Sequence, residues 1–199
     1  SFYLLGKSGG LQPQFEDLRR YFQREHPYRT HSKSGVTYIF DGKKYVTWSE
    51  TELRNYAHKH FNPKPQDNYT HEFCSWINRT NLINSEWFTD STRGLINFSN
   101  GVYSLETGEL RQHSGEHGFL YTLPYDFDPT ALCPVFDKFM QNITSGDEQL
   151  EKLLLEFTGY SICDRDYWLQ KAILLIGEGS NGKSTFLNVI KALAGWENI

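Results

Sequence analysis

The chain runs to 199 residues, 38% of them hydrophobic and 16% aromatic, with 22% charged and only 7 Pro. That is a folding composition, and it excludes a disordered tail, a low-complexity segment and a collagen-like repeat. The longest uncharged apolar run, residues 172–176, is far short of the roughly twenty residues of a membrane span. Residues 1–10 lack the cationic start and apolar segment of a secretory signal, so no membrane association and a cytoplasmic location are expected. Net charge is −4, yet residues 1–64 hold 11 Lys and Arg against 6 Asp and Glu, while residues 65–199 hold 9 against 18. This polarity points an anionic partner at the N-terminal part.

Residues 1–10 show no periodicity and read as a lead-in or linker. Over 11–24, Phe15, Leu18 and Phe22 recur at spacings of three and four with Arg19, Arg20 and Arg24 opposite, the stripe of a helix that packs on a sheet. Residues 36–40 and 43–48 are β-branched and aromatic runs joined through Asp41 and Gly42, a hairpin with a basic tip. Ser49 and Glu52 form a capping box that opens a helix to about Phe61, and Pro63 and Pro65 stop it. Residues 69–82 read as another helix, with Phe73, Trp76, Ile77 and Leu82 on one face. A meander follows over 95–113, turning at Asn100-Gly101 and Thr107-Gly108, with 119–123 as an added strand. Pro134 suits the first turn of a helix over 135–142. Ser145 to Glu148 is read as a second capping box, starting a helix with Leu150, Leu153, Leu154, Phe157 and Tyr160 along one side. Tyr38, Phe40, Trp48, Trp76 and Phe98 are expected in the core. Cys74, Cys133 and Cys163 are too far apart for a CxxC site and read as buried reduced thiols.

The informative stretch is the apolar run 172–176 followed by Gly177-Glu178-Gly179-Ser180-Asn181-Gly182-Lys183-Ser184-Thr185. It matches GxxxxGK[ST] at Gly177, Gly182, Lys183 and Ser184. An all-apolar run is the pattern of a strand buried on both faces, and Phe186, Leu187, Val189, Ile190 and Leu193 recur at helical spacing after the loop. Strand, glycine loop and helix is the order a phosphate cradle needs. Glycines at 177, 179 and 182 are expected to admit backbone conformations closed to other residues and to bring main-chain amides to phosphates, with the helix presenting its positive N-terminus. Lys183 would contact β- and γ-phosphate oxygens and offset charge developing in transfer, and the Ser184 hydroxyl would ligate magnesium. The cofactors expected are therefore ATP and Mg, bound by residues 177–185.

Gly177-Glu178-Gly179-Ser180-Asn181-Gly182-Lys183-Ser184, preceded by Gln170 and Lys171, resembles the loop of the helicase superfamily three primase-helicases of phages, plasmids and large DNA viruses of the poxvirus type. Three upstream segments resemble that family too: the run from Asn100-Gly101-Val102 to Thr107-Gly108-Glu109-Leu110; Leu123-Pro124-Tyr125-Asp126-Phe127-Asp128-Pro129 with Cys133-Pro134; and Leu155-Glu156-Phe157-Thr158-Gly159-Tyr160. Phe127 stands where the family usually has Tyr. The resemblance is specific over about 95–195 and loose over 11–94. It implies an ATP-dependent DNA helicase of replication, a ring, hexameric in the full-length protein, that translocates on single-stranded or forked DNA. It also implies a primase-polymerase domain as a partner and, for a virus or phage, the host cytoplasm. The fold it implies is an α+β N-terminal module with β-hairpins over 11–127, a helical collar or connector over 128–165, and the truncated start of an α/β, AAA+-like P-loop domain over 166–199.

After Ser184 there is room for one helix, whereas a parallel sheet needs a crossover and a second strand. The chain is accordingly expected to be an internal piece of a longer protein that alone neither hydrolyses ATP nor unwinds DNA, with the arginine finger and other motor residues elsewhere. Arg29, Lys33, Lys43, Lys44 and Tyr45 interleave cations with aromatics, a pattern for tracking phosphates and stacking bases of single-stranded DNA. His58 and His60 stand two apart and do not share a helix face as zinc ligands would. Two other readings stay open: a non-catalytic DNA-binding or assembly module, and a small-molecule P-loop kinase, the latter disfavoured by the long stretch before the loop.

Overall fold

Burial that alternates along strands and recurs every three to four residues along helices decides the layers of the first part of the chain. The computed structural model describes residues 3–5, 11–61, 67–163, 171–179 and 181–198, the segments 3–5 and 11–13 by backbone alone. They divide into two compact units, Ser1–Ser91 with Ser114–Leu120, and Thr92–His113 with Tyr121–Ile199.

In the first unit, β1 (Tyr3–Leu5) and β2 (Leu11–Pro13) pair antiparallel, where the sequence suggested a linker. The strand occupies 11–13, so helix α1 (Phe15–Glu25) begins at Phe15, the first residue of its apolar stripe, and not at residue 11. Strands β3 (Tyr28–His31), β4 (Thr37–Phe40) and β5 (Tyr45–Trp48) form an antiparallel ribbon. Helices α2 (Glu50–His60) and α3 (Asp67–Ile77) follow, then β6 (Leu82–Ile83) and the short α4 (Glu86–Asp90). Strand order is β5-β4-β3-β6, with β6 parallel to β3. In β3 and β4, Tyr28, Thr30, Thr37 and Ile39 point inward. The helices bury Leu18, Phe22, Leu53, Ala57, Phe73 and Ile77 against them.

The hairpin turns at 41–44, where the Asp41 carboxylate accepts the amides of Lys43 and Lys44. The capping box forms as expected: Ser49 Oγ accepts from the Glu52 amide and the Glu52 carboxylate from the Ser49 amide. The Ser49 hydroxyl, which also donates to the Glu52 carboxylate at 2.7 Å, and then the Ser49 amide hold the Glu52 carboxyl below its ordinary pKa. Residues 69–82 are not one helix. It ends at Ile77, Asn81 adopts a left-handed φ of 49°, and Leu82 leaves as the exposed edge strand β6.

In the second unit, β7 (Leu95–Phe98), β8 (Gly101–Ser104) and β9 (Leu110–Arg111) form the meander. Gly101 has φ +155°, and a Cβ there would collide with the Arg111 carbonyl. Residues 119–123 are not a strand. The fully buried Asn97 donates to the Tyr121 carbonyl (2.7 Å) and Thr122 Oγ1, and the Leu123 amide donates to the Asn97 carbonyl (2.8 Å). These bonds moor residues 121–123 beside β7, within the same unit.

Helices α5 (Pro134–Thr144), α6 (Glu148–Ile162) and α7 (Lys183–Ala194) pack through Met140, Leu154 and Phe186. The second capping box does not form: Ser145 closes α5 in a left-handed conformation, and Asp147 caps α6 by accepting from the Gln149 and Leu150 amides. On α6, Leu150 and Leu153 are exposed.

The expected strand at 172–176 is not formed either. Its backbone groups need a neighbouring strand, and none of the described residues pairs with it. Leu174 and Ile176 are 81% and 84% exposed, while Leu175 packs against the helices. Of the expected core residues, Phe98 is buried and Trp48 and Trp76 sit at the core's margin, whereas Tyr38 and Phe40 are half-buried on the other face of β4 from Thr37 and Ile39. Cys74 is buried but Cys133 is exposed and Cys163 intermediate, all three as free thiols. Among the described residues no helix is long and apolar enough to cross a membrane.

Candidate functional site

The glycine loop leads into α7 through Gly182, which adopts φ +81°. Two constraints meet at this glycine. A side chain would be strained at that φ, and a Cβ would stand 2.6 Å from Ile143 Cγ2 and 3.3 Å from Phe139 Cε2. Helix α5 therefore backs the loop. At Gly177 a Cβ would meet the amide nitrogen of Asn181, the end of an exposed side chain that can turn aside. Gly179 has neither a left-handed φ nor a neighbour within 4 Å. The expectation that all three glycines take conformations closed to other residues therefore holds at Gly182 alone.

Lys183 is the first residue of α7, and its side chain folds back over the loop. Its ammonium donates to the carbonyls of Gly177 and Glu178, each at 2.8 Å, and to Asn181 Oδ1 at 2.6 Å. An ammonium has three protons, and three acceptors surround it. The first-turn amides of α7 lack intrahelical acceptors, as at any helix N-terminus. Ser184 and Thr185 lie in that turn and are exposed, and Phe186 behind them is buried. Beside Lys183 and Asn181 lies a cleft of about 220 Å³ walled by Leu150, Leu154, Leu175 and Phe186. Glu178 contributes its carbonyl to the lysine; Ser180 lies outside the described residues.

The residues expected to meet DNA do not form one surface. Tyr45 is 2% exposed and its hydroxyl donates to the Gly115 carbonyl at 2.5 Å. Burial pushes that phenol's pKa up. Its ring is unavailable for stacking on a base, because the register places Tyr45 with Tyr38 and Phe40 on the sheet face opposite Ile39 and the helices, and the 114–120 return covers it there. Arg29 lies over the Trp87 ring at 5.2 Å and donates to the Tyr28 and Gly115 carbonyls, so it clamps that return. Lys33 and Lys43 are exposed in turns and Lys44 is partly exposed.

Sequence spacing missed the acceptor role of Asn181 and the closure of α5 on Gly182. Spacing carries no side-chain direction; the nearest signal was the apolar pair Phe139 and Ile143 one helical turn apart.

Against known proteins, the chain matches the family described as D5 N terminal like over residues 16–145. The match takes in more than half of the chain, which belongs to that family. The family is associated with D5-type primase-helicases, and the mixed α+β fold with its hairpins and helices fits such an N-terminal module. The chain is also 26% identical over 113 residues to the uncharacterized mitochondrial protein ymf21 of Marchantia polymorpha. That match spans 51% of this chain and 62% of the relative's length.

Proposed function

We propose that residues 177–185 form the phosphate-binding loop of an ATP-dependent DNA helicase of replication, and that the rest of the chain is its N-terminal module and helical connector. The observation that carries this reading is the Lys183 ammonium at the head of α7, enclosed by loop carbonyls at 2.8 Å. The donor set suits a nucleoside triphosphate with magnesium. It combines an ammonium, the unpaired amides of a helix N-terminus with their positive dipole, and the exposed hydroxyls of Ser184 and Thr185.

In this reading Lys183 would exchange its carbonyl acceptors for phosphate oxygens, the α7 amides would donate to the same group, and the Ser184 hydroxyl would offer an oxygen ligand to the cation. Bound magnesium would supply charge neutralisation of the phosphates. Gly182 permits the turn that aims these amides, and Phe139 and Ile143 fix its position. DNA strands and further copies of the chain are the partners in this reading.

Titrating the 199-residue protein with a fluorescent ATP analogue in magnesium tests it. Saturable binding should weaken at least about tenfold in Lys183→Ala, the scale of charge-assisted hydrogen bonds. Equal affinity in the variant would refute the assignment.

A second reading is favoured by the family match, which ends at residue 145 and leaves the loop outside it. Here the first unit is a binding and assembly module, with Lys33, Lys43 and Lys44 offered to a phosphate backbone. Salt-dependent retention of labelled single-stranded DNA, lost in a Lys43→Glu, Lys44→Glu double variant, would support that role.

A further inference from the structure

The geometry points to Asn181 as a positioning residue that parks the Lys183 ammonium over the loop until an anion displaces it, an inference that rests on reading residues 177–185 as a phosphate site. Of the three acceptors around the ammonium, two are main-chain carbonyls that every sequence would supply. The third and shortest, Asn181 Oδ1 at 2.6 Å, is a side chain. The opposite end of the same amide lies where a Gly177 side chain would stand. One primary amide thus spans the loop, its oxygen on the lysine and its nitrogen against the glycine at the loop's start. An amide suits this place because its oxygen is a neutral acceptor. A carboxylate would bind the ammonium through charge as well and would repel phosphates, and alanine would leave one ammonium proton without a protein partner. Parking keeps the lysine ordered at the loop, so that its transfer to an anion is an exchange of acceptors rather than the ordering of a free chain.

Asn181 is exposed, so substitutions there leave the packed core intact, and circular dichroism of each variant checks this. The test is the rate at which a small acylating reagent modifies Lys183, read by mass spectrometry on the 199-residue protein without nucleotide. Asn181→Ala should raise the rate and Asn181→Asp should lower it, each by up to about tenfold, the range of hydrogen bonds to charged groups. Loop distortion alone would move both variants the same way, so opposite shifts identify the parking role, while unchanged or parallel shifts overturn it. A parallel sample with magnesium ATP separates this inference from the site reading. Opposite shifts without ATP protection of wild-type Lys183 would leave the parking role standing and remove the nucleotide, whereas protection without opposite shifts would do the reverse.

Discussion

The first unit and the glycine-loop region solve the same problem, burying apolar side chains, with opposite results. Around Phe22 the rings of Tyr28, Tyr56 and Phe73 stand at centroid distances of 5.4, 5.0 and 5.2 Å, and Leu18, Tyr28, Phe61 and Ile77 are fully enclosed. In the loop region, an equally apolar run exposes Leu174 and Ile176, packs Leu175 against the helices and leaves Ile173 half-buried. The first unit's strands each have a ladder partner within the unit, while residues 172–176 have none among the described residues. Hydrophobicity selects what should be buried; a paired backbone decides whether a strand can deliver it.

Substitutions can break that contrast. The largest expected effect is Phe22→Ala, which empties the centre of an aromatic cluster and should destabilise the first unit by about 4 kcal/mol in chemical denaturation. Phe186→Ala, in the smaller cluster with Met140 and Leu154, should cost about 3 kcal/mol and act on the second unit. Equal, small losses at both positions would erase the distinction between the two cores. Ser49→Ala removes one arm of the capping box and should lower stability by about 1 kcal/mol. Leu174→Ser and Ile176→Ser should change stability by under about 0.5 kcal/mol, as exposed positions do. A loss of 2 kcal/mol or more, the scale of a buried leucine, would mean the run is packed after all.

Protonation offers the gentlest probe. His26 sits beside Phe22, Trp48 and Tyr56, and burial lowers its pKa, with Glu25 opposing and His60 reinforcing the shift. The folded state therefore prefers the neutral ring. The contribution is present above the unfolded value near 6.5 and is lost as pH falls toward the depressed folded value. Melting temperature should drop between about pH 7 and pH 5, and less so in His26→Gln. The Tyr56 phenol, pushed up to about 12 chiefly by burial, stays neutral throughout that range.

Much of this was legible before any coordinates. The stripe of Phe15, Leu18 and Phe22, the Ser49 and Glu52 box, the hairpins across Asp41-Gly42 and Asn100-Gly101, and the helix after Lys183 follow from local periodicity and capping chemistry. What escaped depends on distant partners. Tyr28-Arg29-Thr30-His31 reads as a charged, mixed segment, and it becomes strand β3 because β4 and β6 flank it. Asp147 displaces Ser145 as the α6 cap because Ser145 is needed in a left-handed turn to end α5. At the candidate site the positions of Gly182 and Lys183 were evident from spacing. The amide of Asn181 on the lysine, and the loss of Tyr45 to the interior, were set by side-chain direction, which spacing does not encode.

The central claim is that the loop amides and Lys183 converge on a triphosphate. Following the backbone amide resonances of the 199-residue protein by NMR as magnesium ATP is added tests it directly. The account predicts saturable shifts concentrated at Gly177, Gly179 and residues 181–185, and their loss in Lys183→Ala. Resonances in that loop that stay fixed, while others move or none do, would contradict it.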